Sequence, residues 1–325
     1  MFNCKFGDKI NNFIEQKINA GALYEGNKYI LNDFDKFVCK HFSNSTTITR
    51  DCFEEWIASN HVLSNSTINK NISALRQLGL YLVNFFPETY IVPFGLSLKK
   101  IKYQVHLITK KELKAFFDGL AVYCKEILTP QWQHQKLEIP VVFRVLYACG
   151  MRSHEVLRLE CNDVNLETGK VIIKESKSHK MRVIYMHQQL TALCRDYDKH
   201  IAVLCPNRKI FFCNSKGGQW SHVIIRRWFH NIWDGLPEAK EQKGNPFTPH
   251  SFRHNFALTV LNRWYREGRD LNVMLPYLAE YMGHSDLEAL NYYLHLTDDF
   301  SPDIEKAMTT TNEFVLPEVP YGKIL

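Results

Sequence analysis

Apolar residues recur at helical spacing along most of this 325-residue chain, and that periodicity is the strongest constraint on its fold. The clearest case follows Ser64, where one face of a predicted helix is apolar: Ile68, Ile72, Leu75, Leu78 and Leu82. One region departs from the helical period, because the β-rich runs 171–173 and 183–186 flank a basic segment as in a β-hairpin. We therefore predict a mainly α fold with a small antiparallel β-sheet (α+β), with 209–212 as a candidate further strand.

The domain organisation follows from a gap in the helical pattern. Periodicity fades between Pro87 and His106, and the basic stretch 95–100 is typical of an extended linker. A new helix is expected at Thr109 with a capping box, and another over 137–149 with Pro140 in its first turn. The chain is thus predicted to hold a helical domain with its linker at 1–100 and a second domain with a C-terminal tail at 101–325.

Charge and cysteine usage narrow the setting. The formal net charge of +6 and the pI of about 8.7 favour polyanions mildly, and a solvated surface explains them equally well. Nine cysteines without a C-x-x-C pair argue against a disulfide framework and a cysteine zinc site. The start carries no apolar signal segment, and no apolar run approaches the ~18 residues of a membrane span. We expect a protein of the reducing cytoplasm with no membrane partner.

Two clusters near predicted helix starts pair cationic side chains with groups that can orient them. Arg152 is followed three residues later by Glu155 on the same helix face, where a carboxylate can orient a guanidinium that binds phosphate. His250 and Arg253 repeat that spacing after Pro249, which suits a helix's first turn. A surface ion pair and a capping histidine beside a surface arginine are the alternative interpretations.

Other polar side chains mark the hairpin tip and the first domain. At the hairpin, basic residues that can reach phosphate or simply be solvated are Lys177, Lys180 and Arg182. The helix after Ser64 has a polar face opposite its apolar stripe, and this face is either a set of DNA contacts or solvated. Its candidate DNA-binding residues are Asn69, Lys70 and Arg76.

A stretch near the C terminus combines a glycine turn, a histidine and two tyrosines. Gly283 and His284 precede a capping-box pattern, Ser285 with Glu288, that is expected to start a helix. This helix carries the adjacent tyrosines Tyr292 and Tyr293. A tyrosine on a helix is most often structural, so the stretch is informative only together with the other clusters.

In this order the clusters resemble the signature of the tyrosine recombinase (phage integrase) family. That signature is an arginine in a G-x-R-x-x-E context, a lysine in a β-hairpin, H-x-x-R, and G-H with a tyrosine nine residues later. The resemblance covers residues 107–295 closely, and residues 1–100 more loosely resemble the family's helical core-binding domain. The interval from His284 selects Tyr293 as the nucleophile. Met282 stands where a leucine is usual, and the arm-binding domain of some phage integrases is not expected.

The resemblance implies a site-specific DNA recombinase. Tyr293 is expected to attack a scissile DNA phosphate, giving a 3′-phosphotyrosyl bond and a free 5′-hydroxyl. Arg152 and Arg253 would hold the non-bridging oxygens, with Glu155 orienting Arg152. The family's remaining catalytic positions handle protons and hydrogen bonds to phosphate, and they fall on Lys177, His250 and His284.

The resemblance also implies cofactors and partners. The covalent intermediate stores the bond energy, so no cofactor is expected, neither ATP nor a metal. The expected partner is a double-stranded DNA recombination site, bound by a homo-oligomer with a dimer on each site and a tetramer in the synapse. The tail after residue 300 is a candidate for docking onto a neighbouring subunit.

Three alternatives stay open at the level of the sequence. A type IB topoisomerase shares the tyrosine and arginine chemistry, and a non-catalytic DNA-binding descendant would keep the fold without the reaction. The third is a metal site built from histidines, His250, His254, His284 and His295. It is the least favoured, because the nearby carboxylates suit helix capping better than a ligand set.

Overall fold

The computed structural model describes residues 2–22, 24–99, 106–127, 133–174, 181–242 and 244–283. The chain divides into two compact units, Met1–Tyr103 and Gln104–Leu325. Each has its own apolar core among the described residues. Within these ranges, every helix is too short or too polar to span a bilayer.

The described part of the first unit is helical. Its helices are α1 (Gly7–Asn19), α2 (Glu25–His41), α3 (Arg50–Ser59) and α4 (Asn65–Leu82). The hydroxyls of Thr49 and Ser64 cap α3 and α4, because each accepts a hydrogen bond from a backbone N–H that the first helical turn would otherwise leave unpaired. The ring of Trp56 meets Phe34 edge-on, with 5.1 Å between centroids, which joins α3 to α2.

Gly79 lies inside α4 without interrupting it. A Cβ atom at this position would lie 3.0 Å from the carbonyl oxygen of Tyr90, which is tighter than ordinary contacts. The missing side chain therefore lets the chain after α4 return against the helix and bury Val92 completely. That packing offsets the propensity cost of a helical glycine, about 1 kcal/mol.

The second unit is built around one buried helix, Gln133–Cys149. Its helices are α5 (Lys110–Glu126), α6 (Gln133–Cys149), α7 (Ser153–Leu157), α8 (Gln188–Leu204), α9 (Ile224–Trp233), α10 (Pro237–Glu241), α11 (Pro249–Arg266) and α12 (Leu271–Met282). The predicted capping box of Thr109 and Glu112 opens α5. An aromatic cluster fills the centre, where Phe116 meets Phe143, Phe229 and Phe252 at 5.0 Å, 5.2 Å and 5.3 Å between ring centroids.

The expected start of α6 was wrong. The helix begins at Gln133, so Pro140 lies in its interior rather than in its first turn. The apolar run from Leu137 did not mark the helix start, because polar side chains before it are buried too. Gln135 is one of them, and its side-chain oxygen accepts a hydrogen bond of 3.1 Å from the indole N–H of Trp228.

The hairpin forms as predicted. Strand β1 (Lys170–Ile173) pairs antiparallel with β2 (Arg182–Tyr185), with Ile173 opposite Arg182 and Lys170 opposite Tyr185. The prediction of a mainly α fold with a small antiparallel sheet is therefore confirmed. The candidate strand at 209–212 is reduced to one isolated bridge, Ile210 with Glu160, because a 3₁₀ turn at Cys161–Asp163 ends the pairing.

Candidate functional site

Three arginines from three elements meet at the C-terminal end of α12. Arg152 precedes α7, Arg182 begins β2 and Arg253 lies in the first turns of α11. Each guanidinium donates to a carbonyl at this helix end, Arg182 to Tyr281, Arg253 to Met282 and Arg152 to Gly283. A helix C terminus carries partial negative charge, so it attracts the three cations. The fold thus gathers positive charge at the point where the chain leaves α12.

Gly150 makes this convergence possible. It ends α6 in the left-handed conformation, with φ of +60°, and directs the chain towards Arg152. Its carbonyl oxygen accepts a hydrogen bond of 2.8 Å from Nη1 of Arg253. A Cβ atom here would come within 2.5 Å of Cδ1 of Phe256 on α11. The turn therefore requires glycine for both its backbone conformation and its packing.

Gly150→Ala is expected to lower the free energy of unfolding by about 3 kcal/mol, since left-handed strain and overpacking add. Gly268→Ala is the matched control, because Gly268 also has a positive φ, +69°, but no atom within 4 Å of the position that a Cβ would take. The control should lose only about 1 kcal/mol. Chemical denaturation measures both, and equal losses would show that the contact with Phe256 costs nothing.

Glu155 is the counter-charge that Arg152 and Arg182 share. Its side chain is completely buried, and its Oε1 accepts from Nη1 of Arg152 at 2.9 Å. Arg182 forks onto both carboxylate oxygens, at 3.0 Å and 2.7 Å. Burial alone would raise the pKa of Glu155, but the hydrogen bonds and charges of Arg182 and Arg152 hold it below its ordinary value. The predicted pairing of Arg152 with Glu155 is present, and both residues lie in the same network as Arg253.

His250 and Arg253 project from the start of α11 into this region. Arg253 is almost fully buried, whereas His250 is exposed and its ring contacts that of His254 at 4.5 Å between centroids. Desolvation by the surrounding protein and the positive charges of Arg253 and Arg152 lower the pKa of His250 to about 4. The imidazole is therefore neutral at pH 7 and able to accept a proton.

Acidification from pH 7 to pH 5 is expected to destabilise the wild-type chain more than His250→Gln. The unfolded chain, with an ordinary histidine pKa of ~6.5, takes up the proton before the folded chain does. Stability from this group is complete above pH 6.5 and declines as pH falls towards about 4. Because His250 is exposed, the difference should be on the order of 1 kcal/mol.

Thermal unfolding at the two pH values measures this difference. His222→Gln, at another exposed histidine of the same unit, is the control and should lose as much stability as the wild type. An equal loss in His250→Gln and wild type would contradict the lowered pKa.

Arg182 was predicted to contact DNA, but the structure buries its side chain. Its side chain is 5% exposed and binds Glu155 and the backbone of Tyr281. The burial of β2 alternates, so that Arg182 and Ile184 point inwards while Val183 and Tyr185 face out. The sequence carried a signal for this burial. Arg182 lies two residues before the core residue Ile184, and residues two apart in a strand share a face.

Two of the three candidate DNA-binding residues of α4 contact their own chain. Asn69 exchanges hydrogen bonds with the backbone of Leu98, at 2.8 Å and 2.7 Å. Arg76 donates to the carbonyl oxygens of Val92, Pro93 and Leu96. Lys70 is exposed on the same helix. The polar face of α4 is therefore occupied in large part by the segment 92–99, which we call the strap.

The remaining predicted site residues, Lys177, Lys180, His284 and Tyr293, lie outside the described residues. The same holds for the capping box at 285–288 and for the tail. Of the four histidines in the metal alternative, the structure describes His250 and His254 alone. In the described ranges, no group of three or more His, Cys, Asp or Glu side chains is arranged to hold a metal ion.

Comparison with known sequences identifies the family. The sequence pattern of the Phage integrase family matches residues 107–299, which is more than half of the chain. The chain belongs to the phage integrase family. This integrase is accordingly a tyrosine recombinase, an enzyme that cleaves and rejoins DNA at specific sites.

Three curated relatives align with 88% to 96% of this integrase. It is 25% identical to the putative integrase/recombinase y4rE of Sinorhizobium fredii, covering 89% of this chain and 91% of the relative. It is 23% identical to the tyrosine recombinase XerA of Saccharolobus solfataricus, with 96% of both chains covered. The likeness to XerD of Rickettsia bellii is 25% over 88% of this chain and 93% of that one.

Solved structures share the integrase's fold. XerH bound to a palindromic difH substrate in a post-cleavage complex matches with a TM-score of 0.60 at 22% identity, over 87% of this chain and 78% of that one. A lambda integrase dimer bound to a COC′ core site matches with a TM-score of 0.57 at 12% identity, over 85% and 94%. At these identities the matches support the fold alone.

Proposed function

We propose that this recombinase exchanges DNA strands with Tyr293 as the nucleophile and the arginine cluster as the site of the scissile phosphate. The observation that carries the proposal is the convergence of Arg152, Arg182 and Arg253 on the C-terminal end of α12. Glu155 compensates two of these guanidinium groups, those of Arg152 and Arg182, so the three arginines leave excess positive charge in a partly buried place. A phosphodiester oxyanion complements that charge, and guanidinium forks match its geometry.

The arginines take different parts in the proposed reaction. Arg152 keeps 16% of its side chain exposed, so it can reach a bound phosphate while Glu155 holds one edge of its guanidinium. Arg253 is nearly buried, so it contributes charge from beneath the surface while holding Gly150 and Met282. Both would stabilise negative charge that develops on the non-bridging oxygens as Tyr293 attacks.

Proton transfers are assigned to the remaining predicted residues. His250 assists proton transfer from the attacking tyrosine, since its lowered pKa leaves the imidazole unprotonated at pH 7. Lys177 protonates the departing 5′-oxygen, and His284 donates a hydrogen bond to the phosphate. Neither a cofactor nor a metal enters these steps, because the phosphotyrosyl bond retains the energy for rejoining.

The DNA is bound by both units in this proposal. Residues 1–100 act as the core-binding domain and 101–325 as the catalytic domain. Lys70, exposed on α4, is the preferred phosphate contact of the first unit, together with Lys180 at the hairpin. A dimer occupies each recombination site and a tetramer forms the synapse. We place the enzyme in the cytoplasm, where its nine free cysteines would stay reduced.

Covalent capture of DNA tests the proposed function. Purified protein is mixed with nicked duplexes prepared from fragmented genomic DNA, in EDTA, and detergent-resistant adducts are isolated and their DNA is sequenced. We expect adducts at one recurrent sequence, and recombinant products when two copies of that sequence are supplied. Adducts at unrelated sequences with relaxation of supercoils would favour the topoisomerase alternative. Absence of any adduct would overturn the proposal.

A further inference from the structure

We propose that Arg182 is a positioning residue for strand cleavage, which keeps Arg152 available to the phosphate by taking up the charge of Glu155. The inference rests on the proposed function, in which Arg152 holds the scissile phosphate. Arg182 itself is too deeply buried to touch DNA, since its side chain is 5% exposed against 16% for Arg152. Its effect must therefore pass through the groups it contacts.

The hydrogen bonds of Glu155 show how the carboxylate is divided. Oε1 accepts from Nη1 of Arg152 at 2.9 Å and from Nη1 of Arg182 at 3.0 Å. Oε2 accepts from Nη2 of Arg182 at 2.7 Å and from the backbone N–H of Arg152 at 2.9 Å. Arg182 makes the bidentate fork, and the guanidinium of Arg152 makes one contact. Arg152 is thus held by one edge, with its Nη2 side turned to Gly283.

The net charge around Arg152 depends on Arg182. Arg152, Arg182 and Glu155 together carry one positive charge when the carboxylate is ionised. Without Arg182, Arg152 and Glu155 form a neutral pair, and the carboxylate is able to fork onto Arg152. This neutral pair attracts a phosphodiester less strongly than a cation does. It carries no net charge, and charge–charge attraction is strong in a site of low dielectric.

Arg182 also fixes the place where α12 ends. Its Nε donates to the carbonyl oxygen of Tyr281 at 2.8 Å. A Cβ atom on Gly283 would lie 2.8 Å from Nη1 of Arg182, so the guanidinium packs closely against this glycine. Gly283 has a φ of +64° and accepts from Arg152 as well. The two arginines therefore hold the same turn from two sides.

The decisive experiment compares Arg182→Met with the double variant Arg182→Met/Glu155→Gln on a nicked recombination site. In the single variant the rate of covalent adduct formation should fall ~100-fold, since Glu155 now neutralises Arg152, while the DNA dissociation constant changes less than about 3-fold. In the double variant the carboxylate charge is gone, and the rate should recover about 10-fold. Loss of packing alone predicts no such recovery, so a double variant no faster than the single one would overturn the inference.

Conservative variants keep the test valid if methionine prevents folding. Arg182→Lys retains the charge but loses the fork, and its adduct rate should exceed that of Arg182→Gln by about 10-fold. A lysine rate no higher than the glutamine rate would overturn the inference. Arg195→Met, at an exposed arginine of α8, is the control and should match the wild type. Adduct formation by wild type with unchanged rates in all Arg182 variants refutes this inference alone, whereas absence of wild-type adduct refutes the proposed function and this inference with it.

Discussion

Tyr293→Phe is expected to abolish the covalent protein–DNA adduct while leaving the protein folded and bound to its site. The phenolic oxygen is the atom that would bond to phosphorus, and phenylalanine offers no other nucleophile in its place. DNA binding should change little, because the aromatic ring and the arginine cluster both remain. Denaturing gel electrophoresis after incubation with a 5′-labelled nicked duplex detects the adduct directly, and a band-shift assay measures binding.

Tyr292→Phe is the matched control, since it removes the same hydroxyl from the preceding residue. It should form adduct at a rate within a few-fold of the wild type. Undiminished adduct in Tyr293→Phe would contradict the assignment, and loss of adduct in Tyr292→Phe alone would move the nucleophile to the neighbouring residue.

Arg152→Ala should reduce the rate of adduct formation by roughly 10²- to 10³-fold, the range for loss of one preorganised donor to a developing oxyanion. The substitution leaves the fork from Arg182 to Glu155 in place, so the buried charge of the carboxylate stays compensated. Site affinity should fall only modestly, because one phosphate contact of many is lost. Single-turnover cleavage at saturating protein separates rate from affinity.

Arg158→Ala provides the comparison, because Arg158 is exposed and caps the C-terminal end of the same short helix, α7. Its adduct rate should equal that of the wild type. If Arg152→Ala weakened binding as much as cleavage, Arg152 would serve only to position DNA, and its proposed role in the reaction would be wrong.

Helix caps, the hairpin and the end of α6 could be predicted because each depends on residues that are close together in the sequence. The capping residues Ser64 and Thr109 accept hydrogen bonds from N–H groups three residues away, so a short sequence window contains the whole interaction. The hairpin followed from two β-rich runs around a polar turn. Gly150 marked the end of α6 for a similar reason, since the left-handed conformation that ends a helix is a local property of the backbone.

The predictions that were wrong share a different cause. They concern residues whose hydrogen-bond partners are distant in the sequence. Arg76 lies 16 to 20 residues from the carbonyls it binds, and no helical period reveals that the strap covers it. Arg182 resembled one more basic residue of a hairpin tip, and its partner Glu155 is 27 residues away. The start of α6 was missed because a buried glutamine is stabilised by a tryptophan 93 residues further on.

Within the candidate site, the pairing of Arg152 with Glu155 was predictable from their spacing, and their approach to Arg253 was not. That approach depends on how α6, α11 and α12 pack, and packing is set by the whole core. The order of the motifs nevertheless indicated that these residues belong to one site, because it resembles the family's signature. That resemblance predicts which residues meet and gives no physical reason for their meeting.

The strap has a consequence for the construction of chimeric recombinases. Asn65, Asn69 and Arg76 of α4 bind backbone groups of residues 92–99, so this segment belongs to the first unit although it follows the last helix of that unit. A fusion joined directly after Leu82 would leave the partners of these α4 side chains to be supplied by the strap of the other parent. A junction placed after Lys99 keeps those contacts within one parent. Exchanging the first unit between relatives at that position should therefore transfer an intact module, whereas a cut at the end of α4 would divide one.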